Sequence, residues 1–96
     1  MFVLITYDVN TETAEGRKRL RHVARTCENR GQRVQNSVFE CVVDASQWAA
    51  LRARLLGIAS PEVDSLRFYF LGNSWRRRVE HFGAKPSYDP EGPLMV

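Results

Sequence analysis

Cysteine is scarce in this sequence, and its placement suggests neither a metal site nor a redox site. Cys27 and Cys41 are the only two cysteines among 96 residues. They form neither a CxxC pair nor the cysteine and histidine spacing typical of zinc sites. Each lies within an apolar pattern, so we expect two buried thiols and no disulfide scaffold.

Long hydrophobic runs and glycine-rich nucleotide loops are also missing. The opening stretch MFVLITYDV has no basic segment before its apolar residues and reaches Asp8 after a short run, which argues against a signal peptide. Nothing approaches the roughly 20 apolar residues of a membrane-spanning helix. Neither a GxGxxG loop nor a P-loop motif occurs, so a nucleotide cofactor is not indicated. We therefore expect a cytoplasmic protein without a membrane partner.

Arginine, in contrast, is abundant and clustered. The net charge is only +3, yet the segment from Arg17 to Arg33 holds seven basic residues against the single acid Glu28. Guanidinium groups bind phosphate oxygens in pairs, so this bias favours a polyanionic partner, with a merely solvated basic surface as the alternative. The basic residues of this segment are Arg17, Lys18, Arg19, Arg21, Arg25, Arg30 and Arg33, and a second cluster comprises Arg76, Arg77 and Arg78.

Hydrophobic periodicity predicts four strands and two helices in one α+β domain. Residues 2–9 and 64–72 have the composition of strands, and QRVQ and VFECVV form a predicted hairpin that turns near Asn36 and Ser37. Helical spacing predicts helices over about 14–29 and 46–56. This order predicts a ferredoxin-like βαββαβ sandwich with both helices on one face of the sheet.

Capping signals and a late strand complete the predicted domain. Gly31 is placed to form a left-handed cap after the first helix and Gly57 to end the second, while Asp44 and Gln47 are spaced as a capping pair. An extra short strand is expected over 79–82. The predicted ferredoxin-like domain covers residues 1–82, and a Pro/Gly-rich C-terminal tail covers residues 83–96.

Large side chains occupy both faces of the predicted sheet. In the first strand, Phe2, Leu4 and Thr6 alternate with a second apolar set, and two helices can cover only one face. An exposed apolar face favours association, and twofold dimers are the commonest oligomers. We therefore expect a homodimer that buries the second face.

Asp8 ends the first strand on the face assigned to the dimer interface. A carboxylate there costs free energy unless it is paired, hydrogen-bonded or bound to a cation. Hydrogen bonds from the following turn are one alternative. A twofold axis near Asp8 would instead bring two carboxylates together, which suits Mg²⁺ or Mn²⁺ with retained water. Ser37, His22 and His81 lack the spacing of a nucleophile and its base.

These segments resemble the CRISPR-associated Cas2 family. The resemblance rests on YDV at the end of the first strand, on the basic helix GRKRLRHVARTCENRG, and on the stretches QRVQNSVFEC and DSLRFYFLG. It covers residues 1 to about 82 and implies a ferredoxin-like homodimer in which each C-terminal strand joins the neighbouring subunit's sheet. Members are described as metal-dependent phosphodiesterases that cut RNA or DNA, and as dimers that bridge two dimers of the CRISPR integrase Cas1 during spacer acquisition.

The resemblance also implies roles for individual residues. Asp8 matches the aspartate that would be catalytic and would hold Mg²⁺ or Mn²⁺, one carboxylate from each subunit. For Ser37 and Phe39, a structural role in the hairpin beside the site is favoured over direct chemistry. The residues implied in nucleic-acid binding are Tyr7, Arg17, Arg19 and Arg33, and the charge pattern adds Arg76, Arg77 and Arg78.

Three functions remain open from the sequence. As a bridging subunit of CRISPR adaptation, in antiviral defence, the arginines would hold duplex DNA and Asp8 would be dispensable. As a metal-dependent endonuclease, the chain would hydrolyse RNA or DNA at Asp8. A stand-alone, toxin-like endoribonuclease on the same fold is the third alternative. The bridging role is favoured, and the preference for RNA or DNA is not fixed by the sequence.

Overall fold

Two helices pack on one face of a five-stranded antiparallel sheet. The computed structural model describes residues 1–71 and 78–84. Within these residues, no helix is long and apolar enough to cross a membrane. The elements are β1 (Phe2–Asp8), α1 (Ala14–Glu28), β2 (Gly31–Gln35), β3 (Val38–Val42), α2 (Ala45–Ile58), β4 (Ser65–Leu71) and β5 (Arg78–Gly83).

The strands are arranged in the order β2-β3-β1-β4-β5, and every neighbouring pair is antiparallel. Leu4 of the central strand β1 lies between Glu40 of β3 and Tyr69 of β4. Each helix therefore connects two strands that are separated by a third. The predicted ferredoxin-like fold and its hairpin are confirmed, and β5 adds one strand beside β4.

The late strand is confirmed as β5, which lies at the edge of the sheet. β5 pairs with β4 of its own chain, where Val79 lies opposite Tyr69. Arg52 of α2 forms an ion pair with Glu80 of β5, with 2.9 Å between Nε and Oε1, which links the strand to the helix layer of the same chain. The expectation that this strand joins a neighbouring subunit's sheet concerns a second copy of the chain and stays a prediction.

Strand β2 forms one edge of the sheet. Most of its side chains are exposed, including those of Gln32, Arg33 and Gln35. Its register against β3 shifts between Arg33 and Gln35, which marks a β-bulge. The hairpin is therefore bent and polar at this edge.

The core lies between the helix layer and the sheet. From α1 it includes Val23 and Cys27, and α2 adds Trp48, whose ring meets that of Phe68 edge-on with 4.9 Å between the centroids. Burial raises the pKa of Cys27 to about 12, so this thiol stays protonated at neutral pH. Cys41 is also buried and free, which confirms the prediction of two buried thiols.

Side chains at the N-termini of both helices accept hydrogen bonds from the first turn. At α1, Thr13 Oγ1 accepts from the backbone N–H of Gly16 at 3.0 Å. At α2, the side chain of Asp44 accepts from the Gln47 N–H at 2.7 Å, and the Gln47 side chain accepts from the Asp44 N–H at 2.9 Å. The predicted capping pair is thus a complete capping box.

Gly31 does not form the helix cap predicted for it, whereas Gly57 lies at the end of α2 as predicted. Gly31 lacks a positive φ and begins β2, where a Cβ would lie 2.4 Å from the Glu40 carbonyl oxygen and 2.5 Å from Cys41 Sγ. Glycine is required there because β2 passes close to β3. Gly57 lies inside the last turn of α2, whose C-cap is Ala59. The cap prediction for Gly31 is therefore wrong, because close strand packing determines this position.

The carboxylate of Asp64 is fully buried at one end of the sheet. It accepts hydrogen bonds from three other parts of the chain. Its Oδ2 accepts from Arg19 Nε at 2.7 Å and from the Ser60 N–H at 2.8 Å, and its Oδ1 accepts from the Asn10 N–H at 3.0 Å. Burial is the largest single influence and opposes ionisation. The hydrogen bonds from Arg19 and the backbone together outweigh it and lower the pKa of Asp64. The carboxylate is therefore ionised at neutral pH.

The substitution Asp64→Asn is expected to lower the free energy of unfolding by about 2–4 kcal/mol, because Arg19 would lose its charged partner. Chemical denaturation measures the loss. Because the folded-state pKa lies below the unfolded value of about 3.9, the contribution of Asp64 is present above about pH 4 and is lost as the pH falls through the folded pKa.

The control for this experiment is Glu12→Gln at an exposed position. It should change the free energy of unfolding by less than about 0.5 kcal/mol. Equal losses in the two variants would contradict the structural role of Asp64.

Candidate functional site

One face of the sheet carries neither of the two helices. Because side chains alternate along a strand, Leu4, Thr6 and Asp8 of β1 point away from the helix layer. Val42 and Leu71 on the same face are 75% and 42% exposed. We call this surface the open face. Its main residues are Phe2, Leu4, Thr6, Asp8, Val42, Arg67, Tyr69 and Leu71.

Asp8 is the last residue of β1 and is exposed, at the position on the open face that the sequence predicts. It lies directly opposite Ser65 of β4. A cavity of about 200 Å³ opens beside it. The residues that line this cavity are Thr6, Tyr7, Asp8, Ser65, Arg67 and Tyr69.

The sequence reasoning missed three polar residues beside Asp8. Ser65 Oγ and His81 Nε2 lie 3.2 Å apart in a hydrogen bond between β4 and β5. Arg67 lies opposite Thr6 on one side and His81 on the other. Burial, followed by the charge of Arg67, lowers the pKa of His81, so the imidazole is neutral at neutral pH. Strand alternation puts Ser65 and Arg67 on one face, but only the register shows that this face is the one with Asp8.

The donor atoms around Asp8 are the kind that a hard divalent cation prefers. A carboxylate and the hydroxyls of Thr6 and Ser65 are oxygen donors, which suit Mg²⁺ with retained water. Within residues 1–71 and 78–84, no group of three or more His, Cys, Asp or Glu side chains could hold a metal. One described chain thus supplies a single carboxylate at this position, and a second would have to come from another copy.

The Tyr7 ring belongs to the core and not to a nucleic-acid surface. The residue is only 6% exposed, and its ring stacks on that of the fully buried Phe39 with centroids 6.1 Å apart. Its hydroxyl donates to the Asn36 carbonyl at 3.4 Å, and its backbone N–H donates to the Ser37 carbonyl at 3.1 Å. The buried ring does not support the implied binding role of Tyr7, which stays a prediction, whereas Ser37 and Phe39 occupy the predicted hairpin turn and core.

Arg33 lies at the outer edge of the same hairpin. Its guanidinium carbon sits 5.0 Å from the centroid of the Phe39 ring, and it donates to Glu28 Oε1 and to the Asn36 carbonyl, each at 3.1 Å. The side chain is exposed enough to meet a phosphate. Phe39 faces the helix layer, and Arg33 packs on its ring. Arg33 therefore lies away from the open face and is not among the residues that line the Asp8 cavity.

The two α1 arginines named by the resemblance have different surroundings. Arg17 is exposed and donates from NH1 to the Thr11 carbonyl at 3.1 Å. Arg19 directs its guanidinium to the buried Asp64, which raises the pKa of Arg19. This ion pair gives Arg19 a structural role, and its implied role in nucleic-acid binding stays a prediction.

A continuous basic surface remains on the outer side of α1, as predicted. We call it the α1 basic face. Because α1 packs on the helix side of the sheet, this face and the open face lie on opposite sides of the molecule. The α1 basic face consists of Arg17, Lys18, Arg21, His22 and Arg25, all exposed.

The second arginine cluster falls mostly outside the part of the chain that the structure describes. Arg76 and Arg77 lie beyond the described residues. Arg78 begins β5, and only its backbone is described. The Pro/Gly-rich tail likewise lies outside them from residue 85 onward.

The sequence matches one protein family and several of its members. The family model described as CRISPR associated protein Cas2 matches residues 1–79. The "CRISPR-associated endoribonuclease Cas2" of Chlorobaculum tepidum is 62% identical over 96 residues, which cover 100% of both chains. The "CRISPR-associated endonuclease Cas2" of Halalkalibacterium halodurans is 58% identical over 95 residues, which cover 99% of each chain.

A solved structure shares both the sequence and the fold. It is the crystal structure of Streptococcus pyogenes Cas2 at pH 6.5, which is 59% identical and superimposes with a TM-score of 0.71. The match covers 78% of this chain and 90% of that one. The strand order, the aspartate that ends β1 and these matches agree, and the chain belongs to the Cas2 family of CRISPR-associated proteins.

Proposed function

We propose that this chain forms a homodimer that binds nucleic acid and hydrolyses phosphodiester bonds at Asp8. The observation that carries the proposal is the exposed Asp8 carboxylate at the end of the central strand, on an apolar face that the helices leave uncovered. The names endoribonuclease and endonuclease of close relatives support the activity. RNA and DNA are both substrates to be tested.

The open face supports a homodimer. Its apolar side chains, including the exposed Val42 and Leu71, would leave water when a second copy covers them. Twofold symmetry makes such a contact self-complementary. An axis near Asp8 would place two carboxylates at one seam.

Two Asp8 carboxylates would hold Mg²⁺ or Mn²⁺, with water and hydroxyl oxygens as further donors. When bound, the cation would polarise the phosphate and activate a water nucleophile. The side chain of Asp8 would fix its position relative to the scissile phosphate. The cavity beside Asp8 would hold that phosphate out of bulk solvent.

The homodimer is tested by mass in solution. Light scattering should give twice the chain mass of 11.0 kDa. Leu4→Asp places a charge in the middle of the open face and should shift the protein toward a monomer, because each copy would have to bury an unpaired carboxylate in an apolar interface. Val63→Asp adds the same charge at an exposed apolar position in the connection before β4 and should leave the mass unchanged. A monomeric wild-type protein would rule out the shared site.

The cleavage role of Asp8 is tested by Asp8→Asn, which keeps the size of the side chain but removes its charge. Cleavage of RNA or DNA in Mg²⁺ or Mn²⁺ should fall by about 100-fold or more, because the cation would lose its charged ligand. The dimer mass and the affinity for nucleic acid should persist. Cleavage that survives in Asp8→Asn, or that is insensitive to chelators, would overturn the proposal.

A second candidate function is the bridging of two Cas1 integrase dimers during CRISPR spacer acquisition, as part of antiviral defence. The α1 basic face favours the bridging function, because this surface lies on the side of the molecule opposite Asp8. It could bind duplex phosphates without any contribution from Asp8. The two activities are therefore separable. Spacer integration that persists in Asp8→Asn would assign bridging and cleavage to different surfaces.

The α1 basic face is tested by the salt dependence of duplex DNA binding. The double variant Arg21→Ala, Arg25→Ala should weaken binding and reduce the slope of log K against log salt by about one to two, because fewer counterions are released. Arg54→Ala removes an exposed arginine from α2 and is the control. Equal slopes in both variants and the wild type would make the α1 basic face a merely solvated surface.

A stand-alone, toxin-like endoribonuclease remains the alternative function. It shares the Asp8 site and differs in its biological setting. The presence or absence of a CRISPR repeat array and an integrase gene beside the coding sequence distinguishes the two.

A further inference from the structure

A groove between the two helices lies on the side of the molecule that a second copy on the open face would leave accessible. We call it the α1–α2 groove. It is formed by the first half of α1 and the end of α2, and its volume of about 330 Å³ suits a short piece of chain. Its lining residues are Glu15, Lys18, Arg19, His22, Gly57 and Ile58.

Gly57 keeps this groove open at the end of α2. Its φ is not positive, and a Cβ there would meet no described atom beyond its own helical turn within 4 Å. Glycine destabilises a helix relative to alanine, and neither a turn nor close packing among the described residues requires it here. The space at Gly57 therefore points to an occupant from outside the described residues.

The charges along the groove change sign in a fixed order. Glu15 is exposed in the first turn of α1, and Lys18 follows one turn later. A second cavity adjoins the groove, since Lys18 and His22 line both. Arg21 and Arg25 line the rest of that cavity. The order favours a segment with one cation followed by anions, whereas Glu15 would repel a phosphate chain laid along the whole groove.

The C-terminal tail of this chain has the complementary order. Residues 85–96 read KPSYDPEGPLMV, in which Lys85 precedes Asp89 and Glu91. Tyr88 lies between the cation and the anions, and an aromatic ring supplies a large contact area at a low cost in side-chain entropy. The prolines of the tail favour an extended backbone, which suits a segment that lies along a groove.

The tail also leaves the folded domain beside the groove. Ala84 directly precedes the tail, and its N–H donates to the Asp64 carbonyl at 2.8 Å. The carboxylate of Asp64 binds Arg19, with 2.7 Å between Oδ2 and Nε. Because Arg19 lines the groove, a single residue separates the start of the tail from the groove wall.

The tail is long enough to follow α1 from this point. The charged part of α1, from Glu15 to Arg25, rises by about 15 Å. The stretch from Lys85 to Glu91 spans up to about 20 Å when it is extended. One tail can therefore pass Glu15 and still reach the α1 basic face.

We propose that the tail of residues 85–96 docks in the α1–α2 groove of its own chain and acts as an autoinhibitory segment. Tyr88 fills the space that Gly57 leaves. The acidic residues Asp89 and Glu91 pair with Lys18 and with the arginines that follow it on α1. The docked tail covers part of the α1 basic face, so duplex DNA must displace the tail before it binds there. This competition rests on the proposed function of that face, whereas the docking itself does not.

Docking is tested by disulfide cross-linking of the full-length protein with oxidised glutathione. The pair Gly57→Cys, Ser87→Cys puts one thiol in the groove and one in the tail. The control pair Ala50→Cys, Ser87→Cys moves the first thiol two turns back along α2, to an exposed position about 10 Å away. The Gly57 pair should cross-link within one chain about tenfold faster or more than the control pair. Native Cys27 and Cys41 are buried and stay unreactive.

Adding Tyr88→Ala to the Gly57 pair should lower its cross-linking rate to that of the control pair, because the ring anchors the tail. Equal rates in the two pairs without this change would overturn the docking. Cross-links that join two chains, seen as a doubled mass on a non-reducing gel, would assign the groove to the tail of a second copy. They would also overturn docking within one chain.

The autoinhibitory effect is tested by the affinity for duplex DNA at low salt. Asp89→Asn, Glu91→Gln should raise the affinity by about threefold to tenfold, because the tail would no longer cover the α1 basic face. The control Glu12→Gln, Glu62→Gln removes the same charge from two exposed positions outside the tail. It should raise the affinity by less than about twofold.

Filling the groove should have the same effect as neutralising the tail. Gly57→Leu occupies the space of the Tyr88 ring and should raise the affinity for DNA by about threefold to tenfold. Ala53→Leu adds a similar side chain one turn earlier on α2, at an exposed position, and should leave the affinity unchanged.

These outcomes separate the tail from the proposed function. If Arg21→Ala, Arg25→Ala binds DNA as the wild type does, the binding role of the α1 basic face fails, and fast cross-linking at Gly57 still establishes the docked tail. If binding depends on that face but the tail variant and its control bind alike, the autoinhibition is overturned.

Discussion

The buried Asp64 carboxylate is the interaction on which the geometry of the Asp8 end of the sheet depends. Its oxygens hold the connection after β1 through Asn10, the helix α1 through Arg19 and the connection after α2 through Ser60. Its backbone carbonyl also accepts from the Ala84 N–H at 2.8 Å, just after β5. Four segments of the chain thus meet at one residue, which immediately precedes Ser65. The position of Ser65 opposite Asp8 follows from this arrangement.

Much of the fold was predictable because its signals are local. Apolar periodicity located the strands and helices, and the capping box of Asp44 and Gln47 is a short-range pattern. The features that the sequence did not predict depend on distant partners. Gly31 is a glycine because of the approach of β3, and Arg19 meets an aspartate 45 positions away in the sequence. A basic helix pattern cannot reveal which arginine has a buried partner.

The candidate site was predictable only in part for the same reason. Asp8 stands out because a carboxylate ends an otherwise apolar strand. Ser65 and His81 are ordinary strand residues in the sequence, and they become part of a site only through the order β1-β4-β5 and its register. Tyr7 shows the opposite case. Its place next to Asp8 in the sequence suggested a role at the surface, but strand alternation turns its ring into the core.

The bent, polar strand β2 limits the ways in which copies of this protein can associate. An edge strand with free backbone groups is a template for adding further strands, and such addition continues without end. The bulge between Arg33 and Gln35 and the charge of Arg33 oppose flat pairing along this edge. If two copies packed face to face, in contrast, each would cover the open face of the other, and no open face would remain for a third copy. The β2 edge thus disfavours open-ended addition of strands.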